Sequence, residues 1–221
     1  AETEFLLGLA ATYPWILAVV GWIDLRADDL EARLEARTSS AVLKGYRHQV
    51  QDEPSPSAFL EDGRFNRGVE LLQRRGKVYE VLIRSHDLPA AAAFCGRHDM
   101  GPLVLDHLGK PDVRNESAAE WRERIRPLAA LEHVSCKLSG LLTEAPWRAW
   151  GERDLLPYLD AALECFGPRR LLFGSDWPVC LLSGSYGQVR GLAEAATASL
   201  SEAEREAVFG GNASRVYGIT L

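Results

Sequence analysis

Residues 171–180 read LLFGSDWPVC: a short apolar run, a glycine that permits close backbone approach, then Asp176, Trp177 and a turn at Pro178. Working back along the chain, the same form recurs. Apolar runs end in Asp24, in Arg47, His48 and Gln49, in Arg84 and His86, in Asp106 and His107, in Lys137 and Ser139, and in Ser175 and Asp176. Six runs that deliver charged or hydrogen-bonding groups at their carboxyl ends describe one end of a parallel sheet, the end at which β/α barrels build their sites.

The runs are expected as strands over residues 16–23, 41–49, 78–83, 103–106, 134–138 and 171–174, spaced at roughly the length of one βα unit. Helices are expected between them. They cover residues 2–11, a stretch opened by an Asp28 and Glu31 capping box, NRGVELLQRR up to Gly76, the alanine-rich stretch after Pro89, 121–131, and 155–166 before Gly167 and Pro168. After the sixth strand come 189–198, then 202–209 behind a Ser201 and Glu204 capping box, then a last turn around 212–217. The loop QDEPSPSAF, with two prolines, reads as irregular.

No internal repeat marks a solenoid, and no G-x-G-x-x-G follows a strand to mark a dinucleotide-binding sheet. The expected fold is therefore α/β, a (β/α)8 TIM barrel. Such a barrel needs eight strands and six are legible, so the first two are expected to be missing before residue 1. Residues 1–221 read as a single, N-terminally incomplete domain.

The chain of 221 residues is 47% apolar, enough for one enclosed core, and carries a net charge of −6. That balance offers no clustered lysine and arginine for phosphates, so a small-molecule partner is expected and a nucleic acid is not. No apolar run approaches the roughly 18 uncharged residues of a membrane span, and the opening AETEFLLGLAATYP lacks a basic leader region, which points to the cytoplasm and away from a membrane. A homo-oligomer is compatible with all of this. Cys95, Cys136, Cys165 and Cys180 stand singly in apolar surroundings and read as buried free thiols.

Asp176, at a strand end, can bind a metal or take a proton from water; it can equally cap the turn that follows. Trp177 is either a wall for substrate or a rim residue. In VLDHLGKP, side-chain alternation along a strand predicts that only one of Asp106 and His107 faces the barrel interior. His107 is the better candidate, because imidazole is neutral and basic near physiological pH. His98 and His133 precede strands and are assigned no chemistry, and His86 reads as a rim or cap-loop residue.

The blocks VVGWIDL, RHQVQDEP, VLDHLGKP, CKLSGLLTEA, LLFGSDWPVC and GGNASRVYG resemble the sugar-lactonase group of amidohydrolase-related, metal-dependent hydrolases, which includes fuconolactonases and rhamnonolactonases. The resemblance spans nearly the whole chain. It implies a TIM barrel and water attack on the ester carbonyl of a sugar lactone. It also implies that Asp176 orients or deprotonates that water, that His107 is the inner-strand histidine, and that both are ligands of one divalent ion such as zinc.

Arg47, His48 and Lys137 fall in blocks that resemble the pocket of that group and, with Trp177, are expected to bind substrate. A good donor on the tetrahedral oxyanion contributes roughly 3 kcal/mol. Each could instead be a salt-bridged rim residue. One departure stands out: members open with a strand ending in His-x-His, and the chain contains no such pair. Two other readings stay open, a decarboxylase or hydratase of the same superfamily and a truncated, non-catalytic barrel.

Overall fold

The six apolar runs form six strands in the computed structural model, which describes residues 1–220: β1 (Val19–Gly21), β2 (Leu43–His48), β3 (Val78–Val81), β4 (Leu103–Leu105), β5 (Val134–Leu138) and β6 (Leu171–Phe173). They pair in sequence order and every pair is parallel, which requires a crossover between each strand and the next. The crossovers are helical. In chain order the helices are α1 (Glu2–Thr12), α2 (Leu30–Glu35), α3 (Pro56–Glu61), α4 (Gly63–Arg74), α5 (Leu88–Arg97), α6 (Ala118–Ala129), α7 (Leu141–Glu144), α8 (Glu152–Phe166), α9 (Tyr186–Ala196), α10 (Glu202–Glu206) and α11 (Asn212–Val216). The result is an α/β half-barrel with β1 and β6 at its two edges.

The register decides which side chains share a face. Arg47 lies beside Glu80, Glu80 beside Val104, Val104 beside Ser135, and Lys137 beside Leu172. Residues of the alternate set, among them Tyr46, Tyr79, Leu103, Leu105 and Cys136, pack with Phe65, Phe94, Trp121 and Ile125 of the helices in the main core. The first face carries only a small apolar cluster, Val78, Val104 and Leu172, and α11 with the residue after it packs onto that cluster through Ala213, Val216 and Tyr217. Asn212 fastens α11 there by donating to the carbonyls of Pro168 and Leu171.

Several boundaries differ from the sequence reading. The strand expected over 16–23 is reduced to Val19–Gly21. The proline-rich loop contains α3, because Pro56 occupies the first turn, where its missing N–H leaves no helical bond unmade. Asp28 and Glu31 form no capping box; Asp29 precedes the helix, while Asp28 pairs with Arg64 and Glu31 with Arg75. A capping box does form at Ser117 and Glu120, which starts α6 earlier than expected, and α6 accommodates Pro127. The helix expected over 202–209 is divided by a π-turn at Ala207–Gly211. Cys95, Cys136 and Cys180 are buried, whereas Cys165 is only half-buried. Among the described residues no helix is long and apolar enough to cross a membrane.

Candidate active site

Strand β4 ends at Leu105, and the chain then leaves the extended conformation abruptly. His107 (φ 53°), Leu108 (φ 58°) and Lys110 (φ 49°) all occupy the left-handed region, which costs a non-glycine residue roughly 1 kcal/mol or more each. The alternation rule therefore fails at this turn, and both Asp106 and His107 are engaged at the carboxyl end of the sheet. Asp106 forms an ion pair with Lys137, Nζ to Oδ1 at 2.7 Å, and its Oδ2 accepts from Arg47 Nη1 at 3.0 Å. His107 Nδ1 is hydrogen-bonded to Ser139 Oγ at 2.8 Å, and its Nε2 lies 3.6 Å from Asp176 Oδ1.

Two glycines make this placement possible. At Gly140 (φ 70°) a Cβ would come within 2.6 Å of His107 Cβ and 2.9 Å of Nδ1, so the imidazole lies directly on the glycine backbone. At Gly174 a Cβ would approach Ser139 Cβ to 3.1 Å. The glycine before Ser175 and Asp176 thus provides the close approach that residues 171–180 suggest. Asp176 itself is held at φ 54°.

Burial lowers the His107 imidazole to about 4, the nearby Asp106 carboxylate only partly opposing it, so the ring is neutral at physiological pH. Burial raises Asp176 to about 6 against the opposing pull of the Lys110 cation. A neutral imidazole and a carboxylate that accepts a proton easily therefore share one end of the sheet.

Beside them lies a layer of compensated charge. Lys137 Nζ is 2.7 Å from Glu80 Oε1 as well as from Asp106, and Arg47 adds a longer contact of 3.8 Å to Glu80. Tyr217 donates to Glu80 Oε1 at 2.5 Å. Burial alone would raise Asp106, but Lys137 and Arg47 outweigh it and hold that carboxyl at about 2. Glu80, which shares Lys137 with Asp106, is raised by burial and by the Asp106 charge.

The structure thus brings His107 and Asp176 together and joins Arg47 to Lys137 through Asp106. It places the others apart. His48 follows Arg47 in β2 and so turns to the opposite face, where it stacks on Phe59 with ring centroids 4.6 Å apart and pairs with Glu53 at 2.7 Å. Trp177 stands on the rim with 64% of its surface exposed. Ser139 is legible in the sequence as a polar strand end without an assigned role, whereas Gly140, Glu80 and Tyr217 are not singled out there. Of these three only Glu80, a lone acid in an apolar strand, carries a local signal.

A divalent ion would find two suitable donors here. Two ligands of a tetrahedral zinc, each about 2.1 Å from it, lie about 3.4 Å apart, close to the separation of His107 Nε2 and Asp176 Oδ1. The bond from Nδ1 to Ser139 leaves Nε2 as the outward-facing nitrogen, the usual arrangement of a metal-binding histidine. The pair fits as part of a site. Among the described residues no group of three or more His, Cys, Asp or Glu side chains completes it.

An amidohydrolase family model matches residues 1–219. The chain belongs to the amidohydrolase family. This amidohydrolase is 52% identical to an L-fucono-1,5-lactonase of Burkholderia multivorans, over 99% of its own length and 77% of that protein's. It is 32% identical to an L-fucono-1,5-lactonase of Burkholderia ambifaria, covering 99% of this chain and 76% of the other. A crystal structure of an amidohydrolase from Burkholderia multivorans with bound zinc superposes with a TM-score of 0.94 at 51% identity, over 99% of this chain and 79% of that one.

Proposed function

We propose that this amidohydrolase opens a sugar lactone by water attack on the ester carbonyl, with Asp176 as the base and His107 as its partner at the reacting centre. The observation that carries this reading is the neutral imidazole of His107 placed 3.6 Å from a carboxylate that titrates at about 6. At neutral pH the imidazole is uncharged and the carboxylate ionised, so Asp176 can receive the proton that hydrolysis releases. Similarity to two L-fucono-1,5-lactonases supplies the substrate class.

Asp176 takes a proton from water as the water oxygen bonds to the carbonyl carbon, producing a tetrahedral oxyanion. The bond from that carbon to the ring oxygen then breaks, and the proton on Asp176 passes to the departing ring oxygen, leaving the opened hydroxy acid. Arg47, 37% exposed at its side chain, is assigned to the lactone oxygens, and Trp177 to the wall of the entrance. Lys137, held between two carboxylates, orders Asp106 and bears on the substrate through it. His48, turned beneath α3, is assigned no contact. A divalent ion such as zinc, held in part by His107 and Asp176, would supply Lewis-acid polarisation of the carbonyl and a lowered pKa for water.

The reading extends to architecture. Residues 1–221 are taken as one amidohydrolase-type domain, with its six strands belonging to a (β/α)8 barrel whose other two strands are not among them. The parallel order and the polar carboxyl ends support this. Its place of action is taken as the cytoplasm, in keeping with four unpaired cysteines.

Release of acid from L-fucono-1,5-lactone tests the function. Hydrolysis well above the spontaneous rate is expected, and Asp176→Asn should lower it by roughly 10²–10⁴. Comparable rates for variant and parent would remove Asp176 from the reaction.

A further inference from the structure

The loops that follow β3, β4 and β5 enclose a recess of about 400 Å3 on the same end of the sheet as His107. Arg84 comes from the first loop, Lys110 and Arg114 from the second, and Thr143, Glu144 and Trp147 from the third. Asp112 also lines it, so the recess sets three cations against two carboxylates, in a chain whose net charge is −6, and its net positive charge is a local arrangement and not a reflection of composition.

Their carboxylate neighbours hold them loosely. Asp52 lies 3.6 Å from Arg84, and Glu144 lies 3.7 Å from Lys110, both beyond hydrogen-bond length. Arg114 donates to the carbonyl of Ala145, and no carboxylate is paired with it among the described residues. Arg47 and Lys137 differ in kind: each has a carboxylate oxygen at 2.7–3.0 Å. The donors of the recess are thus available to an anion, while in the deeper layer Lys137 is taken by two carboxylates and Arg47 is engaged through Nη1.

The recess is also tied to the reacting centre. Lys110 sits three residues beyond His107, at a left-handed φ of 49°, and its carbonyl accepts from Ser85 N at 3.2 Å, which locks the β3 and β4 loops together. The ammonium acts on Asp176 from there. Burial raises the Glu144 carboxyl against the opposing pull of Lys110 and Arg84.

We propose that this recess seats a carboxylate carried by the ligand, held by Arg84, Lys110 and Arg114, with Trp147 as a wall for the adjoining carbon chain. Guanidinium groups match a carboxylate by paired N–H donors, and an indole face accepts the C–H side of a sugar chain. The inference rests on lactone hydrolysis as the reaction and adds an anion to its ligand. That anion has two sources: the aldonate formed when a neutral lactone opens, or a lactone that bears a carboxylate of its own.

The test compares the parent with Arg84→Gln/Arg114→Gln, whose retained fold is checked by circular dichroism and thermal melting. A second double variant, Arg67→Gln/Arg74→Gln on exposed positions of α4, removes the same charge elsewhere. L-Fuconate binding is measured by calorimetry, and kcat/KM is measured for L-fucono-1,5-lactone and for an aldarate monolactone. Loss of at least tenfold in L-fuconate affinity for the first double variant alone, with a flatter salt dependence, establishes the seat with the product as its ligand.

A tenfold loss confined to the carboxylated lactone establishes it with the substrate as source. Unchanged L-fuconate affinity together with unchanged aldarate-lactone turnover, or equal losses in both double variants, overturns it. Should the parent open no lactone yet bind L-fuconate in a manner that depends on Arg84 and Arg114, the hydrolase reading falls and the carboxylate seat stands.

Discussion

His107 Nε2 lies 3.6 Å from Asp176 Oδ1, beyond hydrogen-bond length, although each side chain is only 12–13% exposed. Neither group satisfies the other. The imidazole is anchored through Nδ1 to Ser139, and the carboxylate stays buried without a close cation. A fold that maximised stability would not leave a carboxylate so placed, and the first prediction follows from that.

Asp176→Asn should lower hydrolysis by roughly 10²–10⁴ and at the same time raise stability. Burial holds the folded-state pKa of Asp176 at about 6, above the ordinary 3.8. Its favourable contribution is therefore complete below pH 4 and is lost as pH rises through 6, where the fold must hold an unpaired charge. At about 1.4 kcal/mol per unit, removing that charge is worth on the order of 2–3 kcal/mol at pH 7 and only about 0.5 kcal/mol at pH 4. Urea denaturation of both proteins at the two pH values measures it. A variant no more stable than the parent at pH 7 would contradict the burial argument.

The pH profile of kcat/KM should show one acid limb, near 6, and no second limb near 4. Asp176 must be ionised to accept a proton, so the rate falls about tenfold per unit below its pKa. His107 at about 4 remains neutral across that limb. In Asp176→Asn the residual rate should lose the limb. A limb at 4 alone would transfer the essential ionisation from Asp176 to His107.

Gly140→Ala and Gly76→Ala separate positioning from strain. Both glycines have positive φ, 70° and 65°, so alanine costs roughly 1–2 kcal/mol at either. Only at Gly140 does the added methyl meet His107, at 2.6 Å; at Gly76 nothing lies within 4 Å. Similar losses of Tm are expected, with activity falling at least tenfold for Gly140→Ala alone. Equal activities would show that the imidazole can shift without consequence.

The strands were legible because an apolar run in a parallel sheet needs no partner information: β5 matches its expected span completely, and the others lose residues at their ends. Asp176 and His107 were legible as polar groups ending such runs. The turn that aims them was not. In Asp106–Gly109 only the glycine advertises left-handed backbone, while His107 is held there by contacts with Ser139 and Gly140 and the Leu108 carbonyl accepts from the Trp121 indole, all distant in sequence. His48 illustrates the opposite error, a chemically apt residue whose strand position sends it to the other face.

Tyr217 reaches Glu80 from 137 residues away, and that contact supports the last prediction. Two carboxylates, Glu80 and Asp106, share Lys137 at 2.7 Å each, and Asp106 begins the strained turn that carries His107. Breaking one member of a buried ion network leaves the others uncompensated, which typically costs 3–5 kcal/mol, whereas losing one hydrogen bond to a charged group costs about 1.5–3 kcal/mol. Lys137→Met should therefore destabilise the fold severely, and Tyr217→Phe should do so moderately. If the network also positions His107, Tyr217→Phe should lower kcat severalfold with little change in KM, and the loss should persist at temperatures far below its Tm, where the fold is intact. Urea denaturation and steady-state kinetics on the same preparations decide between the roles. A Tyr217→Phe enzyme that is less stable but turns over at the parent rate would confine Tyr217 to fastening α11, and would separate the charged layer from the reaction beside it.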